Sequence, residues 1–290
     1  MFRSVLVPVD FTQDGRYLID LAEGLPRMGV TRAVLAHVVD ASGMEGPVIA
    51  AKVDNVRVRM AEHVQRLKDV GLEMECTITT GEAAREILLL GTQMRVDAIL
   101  MASHAKHVID ELLTGSVSEA VLVESSVPVM VVRYDLVRNA DDPTALLGEF
   151  SRKMLVPTDF SAWADRAFDA AVDIAKAVPL CGIDRDEPCG VLALHVVDRS
   201  IGEDRIADAE HDAATRLAEL VERAAEQGVP ASYVVAVGDV KRVIVDAIHD
   251  RRATGVVIGS RGVATIAEAF VGSIAKTVAR QASCPVLAVP

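Results

Sequence analysis

The chain has 290 residues, of which 51% are hydrophobic and 25% charged, a globular composition with material for about two domains of the usual ~100–200 residues. Its net charge of −12 and aromatic content of 3% argue against a phosphate-backbone grip or base-stacking platform, so nucleic acid is not an expected partner. A small nucleotide stays open, because backbone N–H groups can hold phosphate without many cations.

Taken in chain order, residues 4–9 (SVLVPV) read as a strand and 17–25 as a helix. Residues 33–39 (AVLAHVV) read as a second strand, followed by a long amphipathic helix over 52–70 that Gly71 stops. A strand of alternating character covers 73–79, a helix 83–94, and an apolar strand 98–103. A helix over 117–124 and a strand over 127–132 (VPVMVV) complete a βαβαβαβαβ order. Four of these five strands are apolar on both faces, which belongs to a parallel sheet covered by helices. Right-handed crossovers then predict an α/β fold with a doubly wound, mostly parallel five-stranded sheet, whose ligands lie beyond the carboxyl ends of the strands.

The second half repeats the first. VLVPVDFT (5–12) returns as MLVPTDFS (154–161), which pairs Asp10 with Asp159. LAHVVD (35–40) returns as LALHVVD (192–198), pairing His37 with His195. DAILMAS (97–103) matches GVVIGS (255–260), Gly115-Ser116 matches Gly272-Ser273, and VPVMVV matches CPVLAV (284–289), all 157 residues on. A repeat this long is a whole domain, so domains over 1–145 and 146–290 are expected. A turn-rich insertion over 179–190 makes up the change of offset. The polar segment 133–152, with its Asp-Pro pair, reads as the linker.

The most informative stretch is Gly259-Ser-Arg-Gly262, nine residues, then Gly272-Ser273, a G-x2-G-x9-G-S pattern between an apolar strand and a helix starting near Ile274. Glycines there permit positive φ and a close approach of ligand to backbone. Ser273 stands at a helix N-cap, where free N–H groups and the helix dipole favour an anion. By spacing alone, the same glycines could simply close an αβ connection. Asp159 likewise reads either as a ligand group or as a turn and N-cap residue. His195 reads best as a strand-end packing residue.

Together, VPTDFS, LHVVD, the G-x2-G-x9-G-S pattern and CPVLAV resemble the ATP-binding branch of the universal stress protein family, over nearly all of both repeats. The resemblance implies an adenine-nucleotide site of Pro157, Asp159, Val196, Ile258, Gly259, Gly262, Gly272, Ser273 and Ile274. It implies ATP, or AMP or ADP, as ligand, with Mg²⁺ or Mn²⁺ on the phosphates. It implies Asp159 on the ribose or adenine, the Val196 backbone on the adenine, and the glycine loop with Ser273 on the phosphates. It also implies pairing of the two final strands within one chain as a pseudo-dimer, with homodimerisation beyond that. The N-terminal repeat departs from the pattern. Its loop reads Ala102-Ser-His-Ala105, so two glycines are alanines and only Asp10, Val38, Gly115 and Ser116 remain as a weaker second site.

No catalytic constellation stands out. There is no G-x4-G-K-[ST] motif, and His104, His107 and Asp110 fit no zinc spacing. Cys76, Cys181, Cys189 and Cys284 form no CxxC pair. The expectation is a cytoplasmic nucleotide-binding stress or signalling module, with no membrane partner and weak ATPase activity at most. The alternative is an interaction protein whose nucleotide site is incidental.

Overall fold

The computed structural model describes residues 2–11, 15–103, 117–177, 190–262 and 273–290. The chain divides into two compact units, Phe2–Gly148 and Glu149–Pro290. The first runs β1 (Ser4–Pro8), α1 (Gly15–Ala22), a 3₁₀ turn (Leu25–Met28), β2 (Arg32–Val39), α2 (Gly46–Asp69), β3 (Glu73–Thr80), α3 (Ala83–Gln93), β4 (Ala98–Ser103), α4 (Val117–Glu124), β5 (Val129–Arg133), α5 (Tyr134–Asn139) and α6 (Pro143–Gly148). The second runs β6 (Lys153–Pro157), α7 (Ala162–Ala177), β7 (Gly190–Asp198), a 3₁₀ turn (Arg199–Ile201), α8 (Glu203–Glu226), β8 (Ala231–Gly238), α9 (Val240–Asp250), β9 (Gly255–Gly259), α10 (Ser273–Gln281) and β10 (Val286–Val289).

The strand order is β3-β2-β1-β4-β5 in the first unit and β8-β7-β6-β9-β10 in the second. Within each unit the neighbouring strands run parallel. The inner strands are buried nearly end to end, as apolar runs covered on both faces must be, whereas β3 and β8 carry exposed positions. Strand order reverses between β1 and β4, and between β6 and β9, which is where a doubly wound sheet opens a crevice. In the second unit, β6 and β9 pair at Met154↔Gly255 and Leu155↔Val256. The next residues of the two strands, up to Pro157 and Gly259, border that crevice.

Helix ends follow local chemistry. Helix α2 starts six residues before the expected Lys52, because Pro47 suits the first turn. It closes where the Gly71 and Leu72 N–H groups donate to Lys68 O (2.9 Å) and Leu67 O (3.2 Å), with Gly71 at φ +94°. The 133–152 segment contains the junction of the two units, as expected, but it is not open chain. Helices α5 and α6 occupy most of it, and Val137, Leu147 and Phe150 are buried. A Cβ on Gly24 would come within 2.6 Å of Thr144 O, and one on Gly148 within 2.8 Å of Arg27 Cδ, so α6 lies tight against the end of α1 and the turn after it. Asp142 anchors its start, accepting from Thr144 N (3.0 Å) and pairing with Arg27 (3.2 Å). Val137 and Leu147 give each short helix one fully buried apolar residue, Phe150 packs against Gly255 of β9, and polar neighbours hide that pattern in the sequence. Among the described residues, no helix is long and apolar enough to cross a membrane.

Candidate functional site

The crevice of the second unit is built first by the loop leaving β6. Thr158 N donates to Leu194 O (2.8 Å), a last rung towards β7. Three side-chain bonds then shape the turn. Thr158 Oγ1 accepts from Phe160 N (2.9 Å), Asp159 Oδ1 from Ser161 N (3.0 Å), and Ser161 Oγ from Ala164 N (3.2 Å). Ser161 is therefore the N-cap of α7, and Asp159 makes an Asx turn at the crevice mouth. Phe160 adopts φ +60°, a region that side-chain-bearing residues rarely enter.

The glycine loop meets this turn. A Cβ on Gly262 would lie 2.5 Å from Asp159 Oδ2, closer than real Cβ atoms come to anything. Gly259 would place its Cβ 2.9 Å from Trp163 C and 3.1 Å from Ala164 N, so it lets the first turn of α7 pack on β9. Neither glycine takes a left-handed φ. The expected need for positive φ is thus corrected. What crowds a side chain is the first turn of α7 at Gly259 and the Asp159 carboxylate at Gly262.

The other expected site residues are distributed as follows. Pro157 ends β6 in register with Leu194. Val196 lies two residues beyond Leu194, and strand alternation turns its N–H and C=O to the same side as the Leu194 carbonyl, towards the space past the end of β6. Ile258 is buried in β9 and in register with Ala288; alternation turns its backbone towards β10, the side on which Val256 N and Ser260 N donate to Pro285 O and Val289 O. It contributes to the crevice as packing. Ser273 is exposed at the first position of α10, followed by Ile274. Gly272 lies outside the described residues, as do Cys181 and Cys189.

In the N-terminal unit, Asp10 abuts the start of α1, where a Cβ on Gly15 would fall 1.9 Å from Asp10 O. Val38 lines a cavity of about 270 Å³ with His37, Asp40, Lys52, Asn55 and others. Ala102, the counterpart of Gly259, sits in β4 in register with Val132. Gly115, Ser116, His104, His107 and Asp110 lie outside the described residues.

A further cluster occurs in both units and was not expected from the sequence. The Arg216 guanidinium carbon lies 4.0 Å from the centroid of the Phe160 ring, and the His195 ring stacks on that ring at 4.6 Å. In the first unit Arg59 lies 4.2 Å from the Phe11 centroid, and His37 is 4.9 Å from it. Both histidines donate from Nδ1 to the residue ending the first βα rung, His195 to Thr158 O (2.8 Å) and His37 to Val9 O (2.7 Å). A carbonyl only accepts, so both rings carry the Nδ1 proton. Burial holds His195 below the usual imidazole range, and the Arg216 cation adds to this; the Thr158 carbonyl and Asp159 act in the opposite direction. The missed signal was R-M-A-E at 59–62 against R-L-A-E at 216–219, which keeps the 157-residue offset of the glycine block.

The family model described as the universal stress protein family matches residues 1–133 and again 151–290. The chain belongs to the universal stress protein family, with two family domains in tandem. A universal stress protein of Methanocaldococcus jannaschii is 25% identical over 155 residues, spanning 46% of this chain and 96% of that protein. The universal stress protein YxiE of Bacillus subtilis is 30% identical over 145 residues, 47% of this chain and 97% of its own length. Each such relative is therefore the length of one repeat. The crystal structure of a universal stress protein from Archaeoglobus fulgidus has a TM-score of 0.77 and 22% identity, covering 100% of this chain and 98% of that one, which shows the same α/β fold.

Proposed function

We propose that the chain is a stress-response or signalling module that binds an adenine nucleotide, ATP or AMP, mainly in its C-terminal repeat. The observation that carries this reading is the contact of Gly262 with Asp159. A glycine just beyond the end of β9 lies against a carboxylate at the switch point of a doubly wound sheet. A carboxylate has lone pairs enough to keep its Ser161 bond and still accept ribose or adenine donors. The Val196 backbone faces the same crevice, and α10 begins with Ser273, whose early N–H groups suit phosphate oxygens. Mg²⁺ or Mn²⁺ would accompany the phosphates.

The N-terminal repeat keeps Asp10 and Val38 but places Ala102 where its partner has glycine. We therefore expect one equivalent of nucleotide per chain. The test is calorimetric titration of the full chain with ATP and AMP, together with mass analysis of nucleotide released on denaturation. Asp159→Ala should weaken binding by roughly 10- to 150-fold, the loss of one charge-assisted bond, whereas Asp10→Ala should leave it in place. Binding lost with Asp10→Ala and kept with Asp159→Ala would reverse the order of the repeats. Absence of binding in the unaltered chain would end the reading. Association of two chains belongs to the same proposal and is read by sedimentation with and without ATP.

A further inference from the structure

Phe160 is held where a phenylalanine does not rest by itself. A φ of +60° brings Cβ against its own backbone, and such residues persist only where their surroundings over-determine them. Those surroundings are visible. The guanidinium of Arg216, carried on α8, covers the ring at 4.0 Å, and the ring of His195, carried on β7, stacks at 4.6 Å with planes 27° apart. Both groups lie within 4.6 Å of the ring centroid, so a helix residue and a strand residue hold the ring at once. His195 is itself tied to the loop by its bond to Thr158 O.

The clamp acts on the residue next door. Asp159 lies between Thr158, whose carbonyl is bound, and Phe160, whose ring is fixed. Its Oδ1 takes Ser161 N at 3.0 Å, and its Oδ2 is the atom nearest Gly262. The N-terminal repeat brings the same three side-chain types together, but His37 is tilted 47° to Phe11 and His63 is the ring stacked on it, while Arg59 Nη2 also donates to Phe11 O at 3.0 Å. Among the described residues, Phe11 is not one of those with positive φ. The grouping is common to both repeats, and the stacked histidine of the strand with the left-handed phenylalanine beside the aspartate belongs to the second.

We infer that Arg216, Phe160 and His195 are positioning residues of the C-terminal nucleotide site: their stack holds the Asp159 carboxylate against the glycine loop before ligand arrives. This rests on the adenine-nucleotide reading above. Fixing the loop in advance removes an ordering cost that binding would otherwise bear.

The test uses the full chain and two readouts, ATP affinity by calorimetry and ligand-free hydrogen exchange at the amides of Phe160, Ser161 and Ala164. Phe160→Gly deletes the ring while tolerating the left-handed backbone. It should weaken ATP binding at least about tenfold and speed exchange at the neighbouring amides at least about tenfold, with an unfolding midpoint unchanged or raised. A ring that served only packing would lower the midpoint instead. Arg216→Leu should weaken binding about three- to fivefold, the size of one exposed cation–π contact. Phe160→Tyr should stay within about twofold of the parent, as should Arg59→Leu in the other repeat. If the unaltered chain binds no adenine nucleotide, the nucleotide reading falls, and the exchange measurement alone decides the stack. Parental exchange in Phe160→Gly overturns the inference, and so does parental ATP affinity in a chain that binds.

Discussion

Replacing Gly262 by alanine puts a methyl group in place of a hydrogen where the structure has no room for it. The new Cβ would stand 2.5 Å from Asp159 Oδ2, and contacts under 3.0 Å do not persist, so the carboxylate must retreat by at least about 0.5 Å. That carboxylate is short and already tied to Ser161 N, so it retreats by rotating away from the crevice. A displacement of this size takes a hydrogen bond from good geometry to poor. A charge-assisted bond contributes about 1.5–3 kcal/mol, which sets the expected loss of ATP affinity at roughly 10- to 150-fold. Stability should change by less than ~1 kcal/mol, because Gly262 is half-exposed and the clash can be relieved at a side chain. Calorimetry on Gly262→Ala, Asp159→Ala and the double variant forms a closed cycle. If the glycine acts through the aspartate, its substitution costs nothing further once Asp159 is gone. Parental affinity in Gly262→Ala, or losses that simply add in the double variant, would refute the reasoning.

Gly259→Ala should behave differently, since its Cβ would meet backbone atoms of Trp163 and Ala164 at 2.9–3.1 Å, which cannot swing aside. A loss of about 1–3 kcal/mol in urea unfolding is expected, with the helix–strand contact as its cause. The half-exposed, neutral-side behaviour of His195 predicts an acid sensitivity. Its folded pKa lies below 6.5, so the unfolded chain gains a proton first as pH falls. The stability it contributes is present above about pH 6.5 and is lost on acidification below it. Urea midpoints at pH 7.5 and 5.5 should differ less in His195→Gln than in the parent. For the thiols, burial pushes Cys284 up to about 12, while Cys76 is exposed. Peptide mapping after iodoacetamide at pH 8 should find Cys76 modified and Cys284 intact until the chain is unfolded. Because unfolding returns Cys284 to a pKa near 9, its contribution to stability should fall between pH 9 and about 12.

Much of the fold was readable because apolar runs and helical spacing agree locally with the final sheet. VLVP, AVLA, AILMA and VMVV are buried strands, and each is short enough to have no rival helical reading. The duplication did the rest, since two noisy patterns at one offset reinforce each other. The glycines were found for a reason only half right. Sequence shows that a side chain is missing but not what stands in the vacated space, and for Gly259 that is a helix backbone while for Gly262 it is Asp159. The segment after β5 was misread because Val137, Leu147 and Phe150 are too sparse to show a period, although each finds a buried position. Arg59 and Arg216 carry no signal of their own in the sequence. Their partners, Phe11 and Phe160, come from another part of each repeat, and only the third dimension joins them.

The docking of α6 on Gly24 and Arg27 bears on how this chain can be dismantled. Residues 134–148 are masonry of the first unit, and a scissile bond placed ahead of them would strip Leu147 and Val137 of their cover. Anyone producing the halves apart, or grafting one onto a foreign protein, should sever after Gly148. A fragment ending sooner would present raw apolar surface, and its failure to stay in solution would say nothing about its capacity for ligand.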